Sequence, residues 1–182
     1  MNKLLLAAGV GVMMGAGFFT GCGANAVEQS APQEIKMDKQ KFPAFETQNL
    51  QGATVTNEIF KQKKITVINI WGTFCPPCVG EMPELGEWAR NMPEGAQLVG
   101  LVCDIRGAND SRTIEVAQKI TQKANADFIN LVPSKEMMAY LQNVEAVPTT
   151  IFVDAEGNMV AEPVVGADVD SYKRTVARYL HE

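Results

Sequence analysis

The sequence predicts an α/β sandwich, a mainly parallel sheet with helices on both faces. Three observations lead there. From Lys64 to Leu141, strand-like and helix-like segments alternate. The run Ile65-Thr66-Val67-Ile68-Asn69-Ile70-Trp71 is β-branched and almost continuously apolar, the pattern of a strand buried on both sides. Near the end, Asp154-Ala155-Glu156-Gly157-Asn158 separates two β-prone runs, which adds an antiparallel hairpin at one edge.

The elements follow in order. After the first buried strand, Val79, Met82, Leu85, Ala89 and Met92 recur every three or four residues, and Pro93-Glu94-Gly95 ends that helix. Gln97 to Asp104 reads as a second strand, and Ile114, Ala117, Ile120 and Ala124 mark a second helix. Phe128 to Val132 is a short strand, and Ser134 can cap a short helix carrying Met137, Met138 and Leu141. Thr149 to Val153 and Met159 to Val165 form the predicted hairpin, and Asp168 to Leu180 a closing helix that buries Val169, Tyr172, Val176 and Leu180. Upstream, Phe42 to Leu50 and Ala53 to Phe60 fit a small hairpin around Gln51-Gly52.

Composition narrows the chemistry. With 182 residues, 46% hydrophobic and 20% charged, the chain has room for one domain with a full core. Sixteen basic against twenty-one acidic side chains give a formal charge of −5, without the basic excess that phosphate-backbone binding needs, so no nucleic-acid partner is expected. The single histidine, His181, is the penultimate residue, which argues against Ser-His-Asp or Cys-His catalysis and multi-histidine metal sites. The chemistry is left to cysteine and carboxylate.

The amino terminus reads as an export signal. Lys3 precedes an uncharged run from Leu4 to Phe19, shorter than the roughly 20 residues a bilayer-spanning helix needs. It ends in Phe19-Thr20-Gly21-Cys22, which resembles a bacterial lipobox and implies lipidation of Cys22; plain secretion, with Cys22 an incidental thiol, is the alternative. We expect residues 1–21 to be a signal peptide, 22–41 a flexible tether poor in apolar period, and 42–182 the folded domain. Removing residues 1–21 takes away one lysine and no acid and leaves −6. Outside the cytosol disulfides persist, so a dithiol working there needs an electron source.

The strongest local signal is Trp71-Gly72-Thr73-Phe74-Cys75-Pro76-Pro77-Cys78, between a buried strand and the first turn of a helix. A bare C-x-x-C can be half a zinc site, but zinc needs four ligands, and the other candidates are Cys22, Cys103, His181 and carboxylates. It can also be an inert disulfide, although so short a loop closes almost no chain. Position favours a third reading. Cys75 begins the helix, where unpaired backbone N–H groups and the helix dipole favour an anionic sulfur. Cys78, one turn deeper, can then displace whatever Cys75 has captured. Pro76 and Pro77 stiffen the helix start, where proline is tolerated.

With these residues in view, Phe42 to Val165 resembles the thioredoxin fold, and specifically the TlpA/ResA-like extracytoplasmic thiol-disulfide oxidoreductases. The Trp71 to Cys78 motif, Glu81-Met82-Pro83-Glu84-Leu85, Val147-Pro148-Thr149 and the Asp154/Gly157 turn carry the likeness. It implies a thioredoxin-like three-layer sandwich with a central mixed sheet, an extra N-terminal β-hairpin and an inserted helix-strand unit over Arg112 to Val132. It also implies a cis Val147–Pro148 bond facing the cysteines, and substrate contact by Trp71, Pro76, Pro77, Val147 and Pro148. Glu81 lies three residues after Cys78; an acid there is favoured by the helix dipole alone. The resemblance adds a role in relaying the resolving cysteine's proton, and Asn69 supports it, because it occupies the strand position where thioredoxin keeps a buried aspartate. Phe74 stands where many relatives carry tryptophan. Cys103, in an apolar strand, reads as a buried hydrophobe, and Pro83 as a structural interruption of its helix.

The implied function is a membrane-tethered enzyme that reduces disulfides of exported proteins, re-reduced by a CcdA/DsbD-like membrane electron donor, monomeric and without metal or cofactor. Implied substrates include apocytochrome c before haem attachment, as in cytochrome c biogenesis, oxidised envelope or sporulation proteins, and a methionine sulfoxide reductase. A disulfide-forming oxidase of the same fold and a copper metallochaperone are the alternatives. A peroxidase of this broad fold would need a threonine three residues before its reactive cysteine; Thr73 is two before Cys75.

Overall fold

The computed structural model describes residues 40–181. The expected signal peptide, Cys22 and nearly all of the expected tether lie outside the described residues. The chain forms β1 (Glu46–Gln48), β2 (Thr54–Thr56), β3 (Ile65–Trp71), α1 (Pro76–Arg90), β4 (Ala96–Val102), α2 (Ser111–Lys123), β5 (Ile129–Leu131), α3 (Lys135–Leu141), β6 (Thr149–Val153), β7 (Val164–Val165) and α4 (Val169–His181). A five-stranded sheet runs β5-β4-β3-β6-β7, and β1-β2 make a separate hairpin. β3 pairs in parallel with β4 and antiparallel with β6, so the predicted strand is central and buried at every position.

The pleat of β3 divides the core. Ile65, Val67 and Trp71 join Cys75, Cys78, Met82 and Leu85 of α1 and Tyr172 and Val176 of α4. Ile68 and Ile70 face the other way, onto Phe42, Phe45, Ile59, Phe60 and Met137 of α3. Three layers result, with helices on both faces, as expected. Two glycines permit close approaches on the first face. A Cβ on Gly86 would lie 2.5 Å from the backbone oxygen of Asn125, so α1 rests directly on the turn after α2. A Cβ on Gly100 would lie 1.9 Å from Oδ1 of Asn130.

Local differences from the sequence reading have identifiable causes. The hairpin's second arm does not continue to Phe60; from Asn57 to Gln62 it becomes a 3-10 helix whose Ile59 and Phe60 are buried, because a turn places both on the core where a strand would expose one. The predicted strand Met159 to Val165 pairs only at Met159 and Val164–Val165, with Pro163, which has no N–H to offer, just before the second stretch. Val79 and Met138, expected to face inward, are exposed. Ser134 does cap α3, accepting from the N–H of Met137 at 3.3 Å.

Candidate active site

Trp71 closes β3, and the chain turns through Gly72-Thr73-Phe74 into α1. The turn is fixed from the side by Asp104, which accepts the N–H of Thr73 at 3.0 Å and its hydroxyl at 2.5 Å. Cys75 is the N-cap of α1. Pro76 and Pro77 occupy the first helical positions, where an N–H would find no partner within the helix. The first N–H that the helix can present is therefore that of Cys78, and it donates to Sγ of Cys75 at 3.3 Å. A sulfur at this place meets both an N–H donor and the positive end of the helix dipole.

The two sulfurs are joined as a disulfide, with Cα atoms 5.3 Å apart. Cys75 is 5% exposed and Cys78 fully buried, so an incoming sulfur has access to the first and not the second. Sγ of Cys75 lies 3.4 Å from the carbonyl oxygen of Val147. A disulfide sulfur has no hydrogen to donate; after reduction a Cys75 thiol can donate to this oxygen. Val147–Pro148 is a cis peptide bond, with Val147 half-buried and Pro148 buried.

One turn along α1 from Cys78 lies a polar group enclosed by the core. Glu81 is 6% exposed. Its Oε1 accepts from Nδ2 of Asn69 at 2.9 Å, and its Oε2 lies 3.2 Å from the hydroxyl of Tyr172 on α4. Asn69 also donates to Thr150 Oγ1 at 3.1 Å, while its own Oδ1 is buried without a hydrogen-bond partner among the described residues. Burial pushes the Glu81 carboxyl above its usual range; the hydrogen bonds from Asn69 and Tyr172 pull the other way, and Glu84 adds a push upward. A carboxyl held protonated beyond the ordinary carboxylate range can give up and recover a proton where an exposed glutamate would stay ionised.

Of the residues expected at the surface that meets a substrate, Pro76 and Pro77 are exposed and Val147 is partly so. Trp71, expected there as well, is wholly buried, as is Pro148, and its indole N–H donates to Asn130 Oδ1 at 2.9 Å. Phe74 is 68% exposed beside Cys75. Cys103 falls just past β4, half-buried rather than enclosed, and burial followed by the charge of Asp104 pushes its thiol up to about 11. Sequence reasoning assigned Tyr172 to the core and did not connect it to Glu81. The periodicity of α4 shows that Tyr172 faces inward but not what its hydroxyl meets 91 residues away in the chain. Asp104, Asn130, Thr150 and Gly166 likewise carried no local signal.

A disulfide closed across the first turn of the helix that follows a central strand, with a cis-proline opposite, defines a thioredoxin-fold thiol-disulfide oxidoreductase. The chain belongs to the Redoxin family, whose model matches residues 37–178, and within the thioredoxin fold it is TlpA/ResA-like. It is similar to the thiol-disulfide oxidoreductase ResA of Bacillus cereus, 25% identical over 181 residues that cover 98% of this chain and 91% of that one. It is also 27% identical over 117 residues to the thiol:disulfide interchange protein DsbE of Yersinia pestis, covering 63% and 57% of the two chains. Among solved structures, a secreted Mycobacterium tuberculosis disulfide oxidoreductase homologous to E. coli DsbE superposes with a TM-score of 0.57 at 26% identity, over 74% of this chain and 95% of that one. The chain is accordingly a protein disulfide oxidoreductase.

Proposed function

We propose that this protein is a membrane-tethered, extracytoplasmic enzyme that reduces disulfides of exported proteins. The observation that carries the mechanism is the N-cap position of Cys75, whose sulfur accepts the Cys78 N–H while Cys78 itself is sealed from solvent. The Cys75 thiolate attacks a substrate disulfide, and the departing substrate thiolate takes a proton from solvent. Glu81, as a carboxylate, takes the proton of the Cys78 thiol. The Cys78 thiolate then attacks Sγ of Cys75, re-forms the intramolecular disulfide and expels the second substrate thiolate. Two electrons pass to the substrate, and Glu81 ends the half-cycle protonated, the state its burial favours.

Pro76, Pro77, Val147 and Pro148 frame the substrate chain beside Cys75, with the Val147 backbone available for pairing. Export and tethering rest on residues 1–21 and Cys22, with 22–41 as the tether and 42–182 as the working domain. The similarity to a secreted oxidoreductase supports the same side of the membrane. Re-reduction comes from a CcdA/DsbD-like membrane donor, and the enzyme acts as a monomer.

A redox titration of the Cys75–Cys78 couple tests the direction. We expect a potential well below the roughly −120 mV of a strong protein oxidant; a value near that figure would assign disulfide formation instead.

A further inference from the structure

The hydroxyl of Tyr172 has more partners than it has protons. It lies 2.7 Å from the carbonyl oxygen of Gly166 and 3.2 Å from Glu81 Oε2, it accepts the N–H of Asp168 at 3.3 Å, and it is also hydrogen-bonded to the Thr150 side chain. A phenol has one hydrogen, and the Gly166 carbonyl has none to return. With the disulfide closed, the shorter bond takes that hydrogen, so the phenol offers Glu81 no donor. The contact then suits a neutral Glu81 carboxyl, because a carboxylate Oε2 would face an oxygen that has no hydrogen to give it. Gly166 is in turn tied to the active-site edge: its N–H donates to the carbonyl oxygen of Pro148 at 2.8 Å, one residue from the Val147 oxygen that touches Cys75.

We propose that Tyr172 is a positioning residue that carries the charge state of Glu81 to the Gly166–Pro148 edge beside the disulfide. Its proton goes to Gly166 while Glu81 is a carboxylic acid, and turns to Glu81 Oε2 once that carboxyl ionises. The inference rests on the proton role given to Glu81 above and extends it. When a donor thiolate opens the disulfide at Cys75, the bond from the donor sulfur to Cys75 forms as the Cys75–Cys78 bond breaks. Cys78 leaves as a thiolate, takes the Glu81 proton, and leaves a carboxylate. A charge-assisted bond from an O–H is stronger than one to a neutral carbonyl, so the phenol turns and the Gly166 carbonyl loses its partner. Opening the disulfide thereby alters the edge strand that a substrate meets.

Few other charges bear on this group. Glu84 on α1 raises the Glu81 pKa, but it is itself paired with Lys173 of α4 at 2.7 Å. Asp170 also lies 3.9 Å from that lysine. The neighbours from β3 and β6, Asn69 and Thr150, carry no charge. Burial, together with the surrounding hydrogen bonds and the charge of Glu81, pushes the Tyr172 phenol up to about 12, so it stays neutral while Glu81 titrates.

The test is carbon NMR of the isotope-labelled full chain with its disulfide closed, following the Glu81 side-chain carboxyl and the Gly166 carbonyl against pH. We expect one shared midpoint in the unaltered protein. In Glu81→Gln the Gly166 carbonyl should be flat. In Tyr172→Phe it should also be flat while Glu81 titrates at a higher pH, because its ionised form has lost an O–H donor. A flat Gly166 carbonyl in the unaltered protein, or one that still follows Glu81 in Tyr172→Phe, would overturn the coupling. If Tyr172→Phe does not fold, the unaltered protein and Glu81→Gln decide alone. Exchange kinetics separate the two readings: a pH profile unchanged in Glu81→Gln removes the relay, whereas a flat Gly166 with an altered kinetic profile removes only the coupling.

Discussion

Replacing Cys75 with serine is expected to remove disulfide-exchange activity, with turnover falling by at least about 1,000-fold to the background rate. The corresponding change at Cys78 should fail differently. Cys75 is the sulfur that an incoming chain can reach, and it accepts an N–H bond at the head of α1. A serine hydroxyl there stays protonated under the same conditions and does not exchange with disulfides. Cys78→Ala keeps the attacking sulfur and loses the resolving one, so each molecule should stop as a mixed disulfide with its substrate. Insulin reduction measures the first outcome and non-reducing gels the second. Equal accumulation of mixed disulfides by both variants would contradict the order of attack.

The largest loss of stability is expected from Gly100→Ala, a change that touches neither cysteine. A Cβ there would stand 1.9 Å from Oδ1 and 2.8 Å from Cγ of Asn130, and 3.1 Å from the indole nitrogen of Trp71. Asn130 cannot simply swing away, because it is 2% exposed, donates to the Phe128 carbonyl at 2.9 Å and accepts the Trp71 N–H. Overpacking costs about 1 to 3 kcal/mol, and stranding the buried indole N–H about 1 to 3 more. A total of roughly 2 to 6 kcal/mol lowers the Tm of a domain this size by on the order of 10 °C. Thermal unfolding followed by circular dichroism reads this directly. A Tm within a degree or two of the unaltered protein would show that the floor beneath the motif is looser than the contacts imply.

Periodicity is local information, and it was legible where one element alone decides the outcome. The buried run Ile65–Trp71 became a central strand over those same residues. The C-x-x-C at a strand-to-helix junction became an N-capped disulfide. Asn69, an amide where an acid was looked for, turned the reading toward Glu81, and the two are now seen hydrogen-bonded across twelve residues. What was not legible depends on distant partners. The indole of Trp71 reads as an aromatic beside a motif until Asn130, 59 residues on, is seen accepting its N–H. Tyr172 reads as core filling, and only the packing of α4 on α1 brings its hydroxyl to Glu81. The short β7 was readable in principle, since Pro163 stands in the predicted strand, but the hairpin signal around Asp154 and Gly157 outweighed it.

The central claim is that the head of α1 holds the Cys75 sulfur in its reactive anionic form. Alkylation of the fully reduced protein, resolved by site with mass spectrometry and repeated across pH, measures this most directly. Burial keeps Cys103 protonated to about 11, so it does not confuse the signal near neutrality. The account predicts that the Cys75 rate rises with a midpoint clearly below the ordinary cysteine value of about 8.5, while Cys78 lags it at every pH. A Cys75 midpoint at or above that ordinary value would contradict it.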